Sequence, residues 1–426
     1  MLKKKLVAFF TFLFVFVVAS PAMANVNFTI NDKPYVPSST LQLADGITMV
    51  PLDMVDKVLG ADITVDNDII IITENSDTLT LTLGSNLAVF NDQQLTLSKA
   101  PELVNGEILV PLRSVYEAFG TSVGWQQESK TVSVSYSEQR QGMTADELML
   151  KSTEAMLEYN TYKVNTDMKL SMGIESAPEG TPQSMDMNMV MDMAMQQEPV
   201  LIYVKTTVDM PPIEGVSDMP TAMISETFMN QDGMYMTVPG QEGWFKMDLQ
   251  GLDIQALMEA SADANDPIKS MEMMKDFGAI INLGNDQNKE DQEYWVVNIT
   301  LTPDSFEKLF QSLMGQMPAM YDTGIPEADA MIQTLFDNIQ ADMTYASWIN
   351  KSTMITDYMD IAAQVDFNLP PVTIDGVTSN AINMSIQVDA FFEMYDMGEP
   401  ITFPDVSDAA DIQNIMPIEE SLQQPL

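Results

Sequence analysis

Six methionines, Met185, Met187, Met189, Met191, Met193 and Met195, occupy every second position of one short segment. Two chemistries follow from thioethers at this spacing. A row of methionines is a flexible, polarizable apolar wall, and a cluster of sulfurs is a ligand set for a soft cation such as Cu(I). Alternate residues of one strand stand about 6.6 Å apart. Two sulfurs sharing one ion must lie within roughly 4 Å. A metal site would therefore need methionines from a neighbouring strand. The intervening Asp186, Asn188, Val190, Asp192 and Ala194 mostly suit water, so the pattern reads first as an apolar face. That face is either plain core or the wall of a ligand cavity. Met168, Leu170 and Met172 alternate in the segment before it, and Ile202 and Val204 in the segment after. Together these residues are the candidate ligand-binding face. All 37 methionines except Met1, Met23, Met49 and Met54 lie at or beyond Met143.

Other reaction chemistry finds little support. The chain has no histidine and no cysteine, which excludes imidazole and thiol catalysis. Carboxylate pairs of the glycosidase kind are available among 62 acidic residues, but no motif singles out a pair. Lys151-Ser152 and Lys351-Ser352 are mere sequence neighbours. Asp66-Asn67-Asp68 offers oxygens for Ca²⁺ without the spacing of a full EF-hand loop. Gly240 and Gly243 flank a turn and form no phosphate-binding loop. The expectation is a protein that is not an enzyme and carries no cofactor. A formal charge of −43 opposes binding to nucleic acid or to an anionic membrane surface. It suits solubility, cations or a cationic partner. Disorder would fit such acidity, but the chain is 46% hydrophobic and the apolar residues are patterned.

The elements that must position these residues begin with a leader. Lys3, Lys4 and Lys5 precede an apolar run over residues 6–18, and Ser20-Pro21-Ala22-Met23-Ala24 follows. This is the layout of a secretory signal peptide, residues 1–24, cleaved after Ala24. The apolar run is shorter than the roughly 20 residues of a spanning helix. No later stretch is apolar enough to span. Without cysteine there is neither a lipid-anchor site nor a disulfide. The expected location is secreted or in the cell envelope, soluble after cleavage.

Residues 25–136 form a first unit with an internal repeat. Met49-Val50-Pro51-Leu52-Asp53 returns as Leu109-Val110-Pro111-Leu112-Arg113, an offset of 60 (109 − 49). Val55 matches Val115, Leu59 matches Phe119, Gly60 matches Gly120 and Ile63 matches Val123. Each copy reads as a strand, a short helix closed by glycine, and a strand pair. Period-two alternation continues in Leu79-Thr80-Leu81-Thr82-Leu83 and Thr131-Val132-Ser133-Val134-Ser135. The second copy, through Tyr116-Glu117-Ala118-Phe119-Gly120, Val123-Gly124-Trp125 and Lys130-Thr131-Val132, resembles the copper amine oxidase N-terminal "stalk" domain. The resemblance implies an extracytoplasmic α+β module. It does not imply amine oxidation, because those catalytic domains need histidine ligands for copper. Arg113 suits either an anionic glycan or a brace to Glu117, and the brace is favoured. Trp125 is read as a core aromatic over a sugar platform.

Residues 137–143 are a polar linker, and Thr144-Ala145-Asp146-Glu147 is a capping box that opens a helix. The grammar then turns to long alternating strands, beginning with the methionine segments. Hairpin strands are expected over 233–238 and 243–249, and further strands over 294–301, 343–349, 353–367 and 381–392. Helices are expected over 252–260, 269–277 and 331–339. Another is expected after Thr302-Pro303-Asp304, with Phe306, Leu309, Phe310 and Leu313 on one face. The order of helix and strands, with Gly243-Trp244-Phe245-Lys246 and Ile401-Thr402-Phe403-Pro404, resembles the LolA-like half-barrel carriers and related secreted lipoproteins over 144–404. That resemblance implies an apolar cavity for acyl chains. Residues 405–426 are a tail.

The expected fold class is therefore α+β: a small α+β repeat domain, then a curved antiparallel sheet packed on helices. The expected function is a non-enzymatic cell-envelope binding or scaffold module. Its partners would be a lipid or other apolar ligand and an envelope component. A structural or adhesive protein with a filled core, and Cu(I) binding through methionines, are the alternatives.

Overall fold

The computed structural model describes residues 27–37, 41–175, 183–209, 222–247, 267–316, 338–371 and 381–412, with 334, 373–374 and 377–378 between them. The leader at 1–24, the helix expected at 252–260 and most of that at 331–339 lie outside the described residues.

The first unit is built twice. It runs β1 (Asn27–Ile30), β2 (Lys33–Tyr35), β3 (Gln42–Ala44), β4 (Ile47–Pro51), α1 (Leu52–Leu59), β5 (Asp62–Asp66), β6 (Ile69–Glu74) and β7 (Asp77–Thr82). The second copy runs β8 (Leu87–Phe90), β9 (Gln93–Thr96), β10 (Glu102–Val104), β11 (Glu107–Pro111), α2 (Leu112–Ala118), β12 (Ser122–Gln126) and β13 (Thr131–Ser135). β4 and β11 pair antiparallel with Val50 opposite Val110, which are equivalent residues of the repeat (110 − 50 = 60). A local twofold axis therefore passes through that pair. The copies also share a tight turn, with φ of 46° and 65° at Asn31 and Asp32 and of 46° and 64° at Asn91 and Asp92. Two successive positive φ values define the hairpin turn that Asn and Asp tolerate best. Val50, Val55, Leu59, Ile70, Val110, Val115 and Tyr116 fill the shared core. The Tyr116 hydroxyl donates to the Met54 carbonyl at 2.9 Å. Arg113 braces Glu117 at 3.6 Å, as expected. Trp125 does not enter the core: it is 43% exposed, because β12 is the edge strand of its sheet.

Glu74, at the end of β6, is buried, and the Tyr136 hydroxyl donates to it at 2.9 Å. Burial raises its carboxyl pKa against the opposing pull of that hydrogen bond and of Arg140. A raised carboxyl pKa means that the native state holds the proton more tightly than the unfolded chain does. This contribution to stability is complete below the ordinary glutamate value and is lost as pH rises through the native value. Glu74→Gln should flatten that decline, which urea unfolding across the acidic to neutral range would measure. A wild-type slope in the variant would contradict the assignment.

The second unit opens with α3 (Ala145–Met156), whose Thr144 and Glu147 form both halves of the capping box. Thr144→Ala should cost about 1 kcal/mol, read as a shift in urea midpoint. The strands are β14 (Thr161–Glu175), β15 (Ser184–Gln196), β16 (Leu201–Asp209), β17 (Ala222–Asn230), β18 (Gly233–Met236) and β19 (Phe245–Lys246). After α4 (Pro267–Asp276) come β20 (Ile280–Leu283), β21 (Gln287–Lys289) and β22 (Gln292–Leu301). After α5 (Pro303–Gln316) come β23 (Ile339–Asn350), β24 (Thr356–Leu369), β25 (Thr373–Ile374), β26 (Val377–Thr378), β27 (Ile382–Tyr395) and β28 (Ala410–Asp411). Apart from β25 and β26, these strands join one sheet in the order β20-β22-β23-β24-β27-β14-β15-β16-β17-β18-β19-β28, with β21 on β22.

The α+β class is corrected by this architecture: the fold is mostly β. Strand far outweighs helix among the described residues, and the helices of the first unit are only two turns long. Ile339, expected at the end of a helix, instead starts β23 opposite Phe367. Its apolar spacing with Met331 and Leu335 fits a helix, but the alternation that follows, Ile339, Ala341, Met343, Tyr345, is the strand period.

The two units are joined by the end of α1. Asn282 on β20 donates to the carbonyls of Lys57 at 2.8 Å and Val58 at 3.0 Å, satisfying the exposed end of that helix. Lys57 pairs with Asp342, Lys33 with Asp276, and Asn285 donates to Asp62 at 2.7 Å. Ile280 is buried in the core of the first unit.

Candidate functional site

Register decides what shares a face, because side chains alternate sides along a strand. One row crosses the sheet as Ile299, Tyr345, Ile361, Ala390, Met168, Met189, Val208 and Met223. The next runs Leu301, Met343, Ala363, Val388, Leu170 and Met187. A third runs Ala341, Val365, Ile386, Met172 and Met185. On the other side of the first row lie Val297, Ser347, Met359, Phe392, Thr166, Met191, Thr206 and Ser225. Beyond it come Met394, Val164, Met193, Val204 and Thr227, then Tyr162, Met195, Ile202 and Met229. No Asp, Glu, Lys or Arg stands in any of these rows.

The structure thus places Met168, Leu170, Met172, the six alternating methionines, Ile202 and Val204 on one face of three adjacent strands. Every one of them is half-buried, neither sealed core nor open surface. The sequence reading missed the partners on β27 and β24: Ile386, Val388 and Phe392, and Ile361 and Val365. Their own period-two alternation was the available signal. It also missed two hydroxyls. Tyr162 donates to the Met195 sulfur at 2.8 Å, and Tyr345 reaches the Met274 sulfur of α4 at 3.5 Å. Burial pushes the Tyr345 phenol up to about 12, and it raises Tyr162 as well, so both stay protonated donors at neutral pH.

Helices cover this front face at one end. Leu148 of α3 packs on Leu283, Trp295, Val297 and Ile349, and Met274 of α4 meets Tyr345. The first unit docks on the opposite side: Asp342, which pairs with Lys57, alternates with the front residues Ala341 and Met343 of β23. The methionine strands β14, β15 and β16 lie in the middle of the strand order, beyond the strands that Leu148, Met274 and Lys57 contact.

The back of the sheet has the opposite chemistry. Asp167, Lys169, Asp360 and Asp389 line a groove of about 700 Å³ together with Phe391. Each strand contributes three successive residues, centred on Met168, Met189, Ile361 and Ala390, and the two outer ones of each three have their side chains on the polar face. Next to it, Tyr294, Trp348, Tyr358 and Phe391 form an aromatic cluster, with the Lys289 ammonium 3.9 Å from the Tyr358 ring centre.

The other residues weighed for chemistry are engaged elsewhere. Ser152 shares a hydrogen bond with Thr356 at 2.8 Å, while the Lys151 ammonium lies on the Met143 sulfur. Lys351 pairs with Asp286 and Glu293. Asp66-Asn67-Asp68 makes the turn between β5 and β6, with Asn67 at φ 52°. Among the described residues, no helix is long and apolar enough to cross a membrane.

A twofold repeat domain docked behind a large open antiparallel sheet with one charge-free face is the class that fold and site define. Residues 29–134 match the copper amine oxidase N-terminal domain. Residues 144–411 match DUF6612, a family of unknown function; that match spans more than half of the chain, and the chain belongs to this family. No curated protein matches by sequence. Solved structures similar to the second unit include the lipoprotein LppX of Mycobacterium tuberculosis, with 11% identity over 61% of this chain and 98% of that one, at a TM-score of 0.29. LprF of Mycobacterium bovis shows 11% identity over 61% and 96%, at 0.27. Likeness at that level leaves the functional reading to the residues themselves.

Proposed function

We propose that this chain is an exported, non-enzymatic cell-envelope protein whose second unit holds an uncharged apolar ligand against its methionine face. The repeat unit serves as the mount that fixes the sheet from behind. One observation carries the reading: the front rows hold no ionisable carboxylate or amine in a chain with 62 acidic residues. Half-burial of the methionine strands adds to it, since a filled core would bury them as fully as Val297 and Ile349. Thioethers adapt to irregular apolar shapes, which suits a ligand of variable chain. The leader pattern at residues 1–24 supports export.

Titration with the uncharged dye N-phenyl-1-naphthylamine tests this. Saturable fluorescence enhancement is expected, with competition by long-chain lipids. A linear response without saturation would favour the structural alternative with a filled core.

The register also gives the Cu(I) reading a definite place. Met168 faces Met189, and Met172 faces Met185, on adjacent strands. Directly opposed residues have Cβ atoms about 5 Å apart, which removes the spacing objection for one strand alone. Competition with bicinchoninate for Cu(I) separates the readings. The apolar-ligand reading expects no competition, and transfer of Cu(I) to the protein at micromolar concentration would favour the metal.

A further inference from the structure

The chain has no cysteine, so its thioethers are its only oxidisable sulfur. Sulfur reactivity toward peroxide follows exposure. Two groups of methionines differ on that measure. Met49 and Met54 are 1% and 2% exposed in the core of the first unit. The six of β15, with Met168 and Met172 opposite, are half-buried, and Met223 at the end of the same row is 40% exposed. Among the described residues the face thus carries a contiguous run of partly accessible methionines, while others of like exposure, such as Met143, Met149, Met156 and Met273, lie singly on the linker and helices.

We infer that the methionine face is a site of reversible oxidation by hydrogen peroxide, and that its oxidation expels the apolar ligand. The inference rests on the proposed ligand face. In the reaction a sulfur lone pair attacks one peroxide oxygen, an S–O bond forms and the O–O bond breaks. The thioether is oxidised by two electrons to the sulfoxide, and the peroxide is reduced to water, which takes both protons. A sulfoxide is a strong acceptor, and at Met185, Met187, Met189 and Met193 the directly opposed neighbours are Val, Leu and Met, which offer no donor, whereas Met191 stands between Thr166 and Thr206. Water must then enter where the ligand lay. Met195 stands apart, because the Tyr162 hydroxyl already engages its sulfur at 2.8 Å. Its oxidation should lag that of Met187 and Met189. Reversal is open to the enzymes that reduce methionine sulfoxide.

The test treats the full chain with hydrogen peroxide, follows each methionine by peptide mass spectrometry, and titrates N-phenyl-1-naphthylamine before and after. Met187 and Met189 should lose their thioethers roughly tenfold faster than Met49 and Met54, as exposure dictates. The dye dissociation constant should rise about tenfold or more, the effect of an unpaired polar group in an apolar contact. A combined variant, Met185→Leu, Met187→Leu, Met189→Leu and Met191→Leu, keeps the apolar volume. Compared with its own untreated form, it should lose most of the peroxide-induced change. Equal oxidation of the two sets, or unchanged dye affinity after oxidation of the face, would overturn the inference while leaving the ligand face intact. A full peroxide response in the leucine variant would overturn it too. Untreated protein that binds no dye would defeat the ligand face first, and the inference with it.

Discussion

Met189→Glu should weaken the binding of N-phenyl-1-naphthylamine about a hundredfold. Met189 sits within one of the two longest charge-free rows, opposite Met168 on one side and Val208 on the other. A carboxylate there must either be stripped of water by the ligand or keep its water and displace the ligand. Partial access to solvent spares the fold itself, so the stability loss should stay near 1 kcal/mol. The loss of affinity should be far larger, about a hundredfold, since an unpaired charge against an apolar surface costs several kcal/mol. Ser171→Glu is the matched control: it stands exposed on the other side of β14, opposite Asp186. It should leave the dissociation constant within about twofold, the scale of an exposed substitution. Equal loss in both variants would mean that charge acts through the whole molecule rather than through this face.

Gly60→Ala should destabilise the protein by about 3 kcal/mol or more, and Gly120→Ala by only about 1 kcal/mol. The two glycines are equivalent in the repeat, and both have left-handed backbone, with φ of 66° and 76°. They share the strain of a side chain at positive φ. Only the first has a neighbour. A Cβ on Gly60 would lie 2.4 Å from the Leu283 carbonyl oxygen and 2.9 Å from Oδ1 of Asn282, whereas one on Gly120 meets nothing within 4 Å. Relief of that overlap must move β20 off the end of α1 and stretch both hydrogen bonds that Asn282 makes there. Urea unfolding read by tryptophan fluorescence measures the difference. Gly60→Ala should also separate the unfolding of the two units into distinct transitions. Identical midpoints for the two variants would mean that α1 does not dock on β20.

Much of the first unit could be read from its repeat. The equivalence of Val50 and Val110 marks the strands that meet at the local axis, and Gly60 and Gly120 mark the helix ends. What could not be read is the difference between the copies. Nothing around Gly60 announces that Asn282, more than two hundred residues later, caps its helix. That contact belongs to tertiary packing and leaves no local pattern. Trp125 went the same way: its type suits a core, but its place at a sheet edge leaves it exposed. In the second unit the period-two alternation of Met185 to Met195 was enough to define a face. Alternation does not say which strands are neighbours, so the rows that join Met168 to Ala390 and Ile361 needed the strand order. The error over fold class has a related cause. Apolar residues spaced by four around Met331, Leu335 and Ile339 fit a helix, yet β23 takes Ile339 because its alternation continues through Tyr345 to Ile349.

The central claim is that the charge-free front of the sheet carries an apolar ligand. Its most direct test is lipid mass spectrometry on the full chain, purified without detergent from the cell that makes it. Organic extracts of the native protein should contain an uncharged or weakly polar long-chain species, at close to one per chain, that is absent from protein delipidated by denaturation and refolding. Identical spectra from native and delipidated protein would contradict the account.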